Sequence, residues 1–257
     1  FRSNAFIGGL DAYFHMNSFY ESAMQIKTGH LSYFLSLFGF GQTGRIVNAL
    51  YSPIIDYFGG WLLLVCGSWA HFDLVISFLV LIISGFGMAS LANYLKINGA
   101  VAVFISFLYM MSHSVLTSWV GNQEFTGIGA ACLPFVILTG VKFIKQRQVH
   151  LVSLAVLMAI LLQLHILTSL ISTVTLLPFF VVGWSMSDHK VKMMVKAWLA
   201  LLLACLLSGN VLGSIYDVFS SNHLIPTFPQ FDLQTAANNT SVGIHDGTLG
   251  IFGIGYT

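Results

Sequence analysis

Gln148–Ser187, the forty residues between Arg147 and Asp188, carry no formal charge. As one α-helix this stretch would measure about 60 Å at 1.5 Å per residue, about twice the ~30 Å hydrocarbon core of a bilayer. It therefore reads as two membrane spans folded back near Thr168-Ser169. Pro178 is tolerable in the second because neighbouring helices can satisfy the carbonyl it frees. The same length test selects Leu74–Tyr94, Ala100–Met111 extended through Val115, Phe125–Val141 and Ala197–Tyr216. The expected fold is thus all-α, a polytopic integral membrane helix bundle of about six spanning helices with outer amphipathic and re-entrant helices. Composition agrees, because only 7% of the residues are charged against roughly 25% in a soluble domain.

A net charge of +1 offers no basic excess for phosphates, so nucleic acid is excluded as a partner. Cys66, Cys132 and Cys205 lie in apolar stretches without metal-ligand spacing and read as small buried hydrophobes. Three regions are expected: 1–73, an outer loop with amphipathic and re-entrant helices; 74–216, the transmembrane bundle; and 217–257, the start of an extracytoplasmic loop or domain. The chain, opening on Phe1, is expected to be a piece of a longer membrane protein.

Lys and Arg collect in cytoplasmic loops. Six spans place Lys96, Lys142, Lys145, Arg147, Lys190, Lys192 and Lys196 on one side with a single acid, Asp188. The other side receives Asp11, Glu21, Asp56, Asp73, Glu124, Asp217, Asp232 and Asp246, with only Arg2, Lys27 and Arg45. One segment tests the parity: Tyr57–Phe72 is apolar but short, and a crossing there would move Asp11, His15 and Glu21 into the cytoplasm. A re-entrant or interfacial helix, paired with Leu31–Phe40, keeps them outside, although a span at one of these segments stays open.

Candidate chemistry begins with Gly8-Gly9-Leu10-Asp11 leading into the helix-compatible run Ala12–Ile26. Asp11 suits a helix N-cap, and Asp11 and His15 at i and i+4 share a face. A carboxylate beside an imidazole at the membrane surface can act as general base with an orienting partner, or as two ligands of a divalent cation. The plainer alternative is a cap and an interfacial histidine. Gly39–Arg45 is glycine-rich but lacks the Lys-Ser/Thr of a P-loop; its Arg45 can pair with a lipid phosphate or serve as a headgroup anchor. His165 lies within the apolar stretch, either at a functional site or hydrogen-bonded to Gln163, Thr168 or another helix. The outer loop Ser112–Glu124 offers an interfacial Trp119 and a second carboxylate, Glu124, or is simply a solvated loop with an aromatic anchor. Farther on, His245-Asp246-Gly247 reads as a turn, and Asn238-Asn239-Thr240-Ser241 contains glycosylation acceptor patterns.

Gly-x-Asp-x-x-x-His over Gly9–His15, the helix ending in Ile26-Lys27-Thr28-Gly29, and Tyr51-Ser52-Pro53 before a membrane-dipping stretch resemble the GT-C type of polytopic membrane glycosyltransferase. Within it the chain is most similar to the bacterial YfhO-like and pyruvoyl-tetrahydropterin-synthase-related membrane proteins. The resemblance implies a multi-pass cell-membrane enzyme with an extracytoplasmic active face, moving a sugar from a polyprenyl-phosphate carrier to a glycan, lipid or polymer acceptor. It maps the base or metal-ligand role onto Asp11 with His15 beside it. Arg45, Glu21, Glu124 and His165 are the candidate substrate-binding residues. The sequence departs from the family in having no second acid adjacent to Asp11, so a divalent cation is an open cofactor. The rival classes are a lipid-linked-glycan transporter or flippase and a non-catalytic membrane scaffold; the absence of Asp, Glu, Lys and Arg from the six expected spans argues against an ion-driven carrier.

Overall fold

A computed structural model describes residues 12–33, 35–42, 44 and 51–221. Asp11, Arg45, Asn238–Ser241 and Gly243–Thr248 lie outside the described residues. The chain divides into two units, Phe1–Tyr216 and Asp217–Thr257. Among the described residues every regular element is helical. Three helices are long and apolar enough to cross a membrane: α3 (Trp69–Tyr94), α6 (Phe125–Gln146) and α8 (Ile166–Ser185). The number rises to five if two bent pairs each count as one span. In the first pair α4 (Gly99–Met110) is followed by α5 (His113–Val115) and a π-helical turn, Leu116–Gly121, at a bend of 46°. In the second, α9 (Lys190–Leu207) meets α10 (Gly209–Ser221), with a 70° bend between Lys190–Leu207 and Gly209–Asp217. The remaining expected span is α7 (Leu151–Leu164), fourteen residues long and too short to pass the same test alone.

Directions follow from the contacts. The Gln123 amide donates to Asp73 Oδ1 at 3.0 Å, and the Gln146 amide donates to the Tyr94 hydroxyl at 3.0 Å. The starts of α3 and α6 are therefore together, and so are their ends. α8 runs the same way beside α6: a Cβ on Gly129 would meet Thr168 Oγ1 at 2.5 Å and one on Gly140 would meet Phe179 Cγ at 2.7 Å, while Gly183 abuts the Phe143 carbonyl. α4 with the π-turn, and α7, are the antiparallel returns. Lipid is as apolar as the helix faces, so burying them against one another offers little driving force, and close approach at small residues carries much of this packing. α6 is the central helix, 61% of its apolar window being buried against 33% for α3 and 28% for α8.

This arrangement gives the bundle two chemically different ends. At one, Lys142 and Lys145 lie over the Tyr94 ring at 5.7 and 5.4 Å, and Lys190 lies over Trp184 at 5.7 Å. A polar cavity of about 240 Å³ there is lined by Arg147, Asp188, His189, Lys192 and Lys196, among others. At the other end α1 (Ala12–Thr28) and α2 (Pro53–Cys66) form a cap: Phe19 packs on Phe72 and Phe125, at the starts of α3 and α6. Large apolar side chains on the outer helix faces, Val103, Phe104, Leu170 and Trp198 among them, are more than half exposed in a way suited to lipid.

Several expectations are corrected. The fold-back falls at His165, whose backbone is extended (φ −164°, ψ 117°), rather than at Thr168-Ser169; the reason is that its imidazole caps α8. The short apolar helix expected over Tyr57–Phe72 is α2, which begins earlier, at Pro53, a residue preorganised for a first helical turn, and is closed by Gly67 in the left-handed conformation (φ 68°). Its expected neighbour, Leu31–Phe40, is loop where described up to Phe40, which opens a short 3-10 turn, Phe40–Gln42. Ser112–Glu124 is largely helical, and Trp119, 1% exposed, belongs to the core rather than the surface. Among the cysteines Cys132 is buried, Cys66 partly so and Cys205 exposed, because Cys205 sits on the apolar outer face of α9.

The cap depends on close backbone approach. A Cβ on Gly60 would lie 2.5 Å from the Ala23 amide nitrogen, whereas one on Gly99 would meet nothing within 4 Å. Gly60→Ala is expected to cost ~1–3 kcal/mol as an overpacking change, and Gly99→Ala to cost nothing, in thermal melts of the purified chain in detergent.

Candidate functional site

The site grows from α1, whose first described residue is Ala12, directly after Asp11. His15 sits one turn in and is 2% exposed. Its ring stacks on Phe125 at 4.1 Å and 14° and meets Phe14 and Tyr51 edge-on at 5.4 and 5.3 Å. Phe125 also contacts Phe19, Tyr51 and Trp119. It is thus an aromatic hub where α1, the entry to α2, the π-turn and α6 converge, and it fixes the plane of the His15 imidazole. Glu124 precedes Phe125 as the N-cap residue of α6; its carboxylate accepts from Asn122 Nδ2 at 3.3 Å and from Thr126 Oγ1 at 3.1 Å. A carboxylate there is favoured by the helix macrodipole.

Glu21 faces another way. Its carboxylate accepts the backbone N–H groups of Leu37 (2.6 Å), Phe38 (2.7 Å) and Gly39, and the Gln25 amide at 2.6 Å. Burial raises its pKa, but the donated hydrogen bonds from Gln25, Gly39, Leu37 and Phe38 together outweigh burial and hold it below the usual value of 4.5. The carboxylate is a staple between α1 and the 37–39 loop. Gln25 extends the staple, its carbonyl accepting from Ser32 N–H at 2.8 Å and from the Tyr57 hydroxyl at 2.6 Å.

His165 is reached through a chain of polar side chains. Ser52, next to Tyr51, donates to Gln163 Oε1. The Gln163 amide donates to Asn210 Oδ1 at 2.7 Å and to the Leu207 carbonyl at 3.3 Å, and the Tyr33 hydroxyl donates to the Asn210 carbonyl at 2.8 Å. These groups tie the cap to the α7–α8 break and the α9–α10 bend. His165 Nδ1 accepts from the Thr168 N–H at 3.3 Å and lies 3.0 Å from Thr168 Oγ1, so the ring proton belongs on Nε2. This satisfies the first turn of α8.

The structure therefore brings His15, the Glu124–Phe125 corner and, through Ser52 and Gln163, the His165 break to one end of the bundle, while Glu21 serves a separate cluster on α1. Sequence reasoning passed over Phe125, Gln163 as a junction, and above all Asp56. This residue lies one turn into an otherwise apolar helix, a signal in itself. It is 2% exposed, both carboxylate oxygens have no hydrogen-bond partner among the described residues, and burial pushes its pKa up to about 8. The neighbouring Tyr57 is raised too, by burial first and then by Glu21, Asp56 and Tyr33. Among the described residues no three His, Cys, Asp or Glu side chains come together as a metal site. No family model, curated protein or solved structure matches the chain.

Because the folded pKa of Glu21 lies below 4.5, its contribution to stability is present above that pH and is lost as the pH falls through the folded value. Glu21→Gln, which turns a four-fold acceptor into an amide, is expected to lose ~1–3 kcal/mol near pH 7. The loss should shrink as wild-type Glu21 protonates in acid. Melting curves of both proteins against pH check this.

Proposed function

We propose that the chain crosses the cell membrane six times and is a glycosyltransferase of the GT-C type, taking a sugar from a polyprenyl-phosphate carrier at the extracytoplasmic face. The acceptor is a glycan, lipid or polymer. The six crossings would be α3, α4 with its π-turn, α6, α7, α8 and α9. Support for counting α7 comes from the parallel course of α6 and α8, since a chain leaving one end of α6 must return to start α8 beside it. The observation that carries the reading is the separation of the two ends: the α1–α2 cap, entered from Asp11, packs against the end opposite Lys142, Lys145, Arg147, Lys192 and Lys196. With basic loops cytoplasmic, the cap end faces outward, the side on which a lipid carrier would present its sugar phosphate.

In this mechanism Asp11 takes the proton from the acceptor hydroxyl as that oxygen attacks the sugar's anomeric carbon. The carrier phosphate leaves with the bonding electron pair, and Arg45 stabilises its charge. His15, held in plane by Phe125, is the positioning partner of Asp11. Glu124 and His165 belong to the substrate-binding wall, and Glu21 shapes it through the 37–39 loop.

A second reading, a transporter or flippase for a lipid-linked glycan, draws on the broken helices, the 46° and 70° bends and the extended His165, because carriers build sites at interrupted helices. The two separate in cells carrying the full-length protein, its deletion, or Asp11→Asn at matched abundance. The transferase reading expects accumulated polyprenyl-phosphate-sugar and a missing extracytoplasmic glycan modification in both mutants. Normal glycans in Asp11→Asn but not in the deletion would overturn it in favour of transport or scaffolding.

A further inference from the structure

Three buried polar atoms that lack hydrogen-bond partners, Asp56 Oδ1, Asp56 Oδ2 and Ser36 Oγ, belong to residues lining one small cavity between α1, α2 and the 32–40 loop. The cavity holds about 20 Å³, room for a single water-sized species. Its other polar walls include Ser22, Glu21 and Tyr57. Among the described residues no Lys, Arg or His lines it, and the titratable groups that share the cavity with Asp56 are Glu21 and Tyr57. Glu21 has already spent its carboxylate on Gln25 and on three backbone N–H groups, so it contributes negative charge to the cavity without offering Asp56 a proton.

Leaving a buried carboxylate without a partner is costly, and a buried charge persists only when paired or coordinated. The donors here are carboxylate and hydroxyl oxygens, a hard set suited to a hard cation and unsuited to zinc, copper or iron. Magnesium keeps several waters and requires octahedral room, which 20 Å³ does not provide. We propose that this cavity is a binding site for one dehydrated sodium ion, held by the Asp56 carboxylate and Ser36 Oγ, which locks the 32–40 loop between α1 and α2. Binding exchanges the ion for the Asp56 proton, so that charge balances: a neutral carboxylic acid plus Na⁺ becomes a carboxylate–Na⁺ pair plus H⁺. The site uses neither Asp11 nor Arg45, and its test reads ion binding and stability rather than sugar transfer.

The test uses the purified full chain in detergent, moved into choline chloride and titrated with NaCl or KCl at constant ionic strength. Bound ²²Na⁺ and the melting temperature are read together. Expected are saturable binding of one ²²Na⁺ per chain, a rise in melting temperature with Na⁺ that K⁺ at equal concentration does not match, and proton release on binding in weak buffer. Asp56→Asn should fold, melt independently of Na⁺ and bind no ²²Na⁺. Ser36→Ala, which leaves the carboxylate in place, should weaken the Na⁺ midpoint about tenfold, as loss of one ligand worth ~1.4 kcal/mol would. A wild-type protein that binds no ²²Na⁺ would overturn the proposal and leave the cavity to a water beside a neutral Asp56. So would a Na⁺ midpoint unchanged in Ser36→Ala.

Discussion

The structure rests on α6. Lipid is as apolar as leucine, so helices in a bilayer gain little from burying apolar surface against one another, and packing has to come from close fit. α6 supplies that fit through small residues. Gly129 and Gly140 admit Thr168 and Phe179 of α8, and Phe143 receives Gly183 in return. α3 is tied to both ends of α6 by Gln123–Asp73 and Gln146–Tyr94. Once α3, α6 and α8 run parallel, the segments between them must return, which sets the cap and the loops of Lys142, Lys145 and Lys190 at opposite ends of the bundle. The basic end and the capped end are consequences of that single packing direction.

The capped end shows how a membrane protein can keep polar chemistry beside an apolar bundle. Its aromatic half, centred on Phe125, excludes water and fixes the orientation of His15. Its polar half is connected by hydrogen bonds at nearly every group: Glu21 with the 37–39 loop, Gln25 with Tyr57, Ser52 with Gln163 and Gln163 with Asn210. Such networks are rigid when satisfied and expensive when they are not. Asp56 and Ser36 stand out against this background because they are buried in the same small space and left without partners.

Much of this was legible in the sequence. Absence of charge over Leu74–Tyr94, Phe125–Val141 and the second half of Gln148–Ser187 located α3, α6 and α8, because burying a charge in hydrocarbon is prohibitive and length is set by membrane thickness. Alternation of Lys and Arg clusters along the sequence marked one end of the bundle. What hydropathy could not give was decided by individual hydrogen bonds. An apolar forty-residue run has no marked midpoint, and the break falls where the His165 imidazole can cap the next helix. The π-turn at Leu116–Gly121 and the burial of Trp119 depend on contacts with α6 that no local pattern encodes. Asp56 was visible as an acid in an apolar helix, yet its isolation emerges only when α1 and the 32–40 loop close over it.

The central claim is that the α1–α2 cap and the basic loops lie on opposite sides of the membrane. It is tested most directly in a chain with Cys66, Cys132 and Cys205 replaced by serine, carrying single cysteines at Lys27, Arg147 or Lys190 and labelled in intact cells with a membrane-impermeant maleimide. Labelling at position 27 from outside, with 147 and 190 labelled only after permeabilisation, is the predicted result. Labelling of 27 and 147 from the same side would contradict the account.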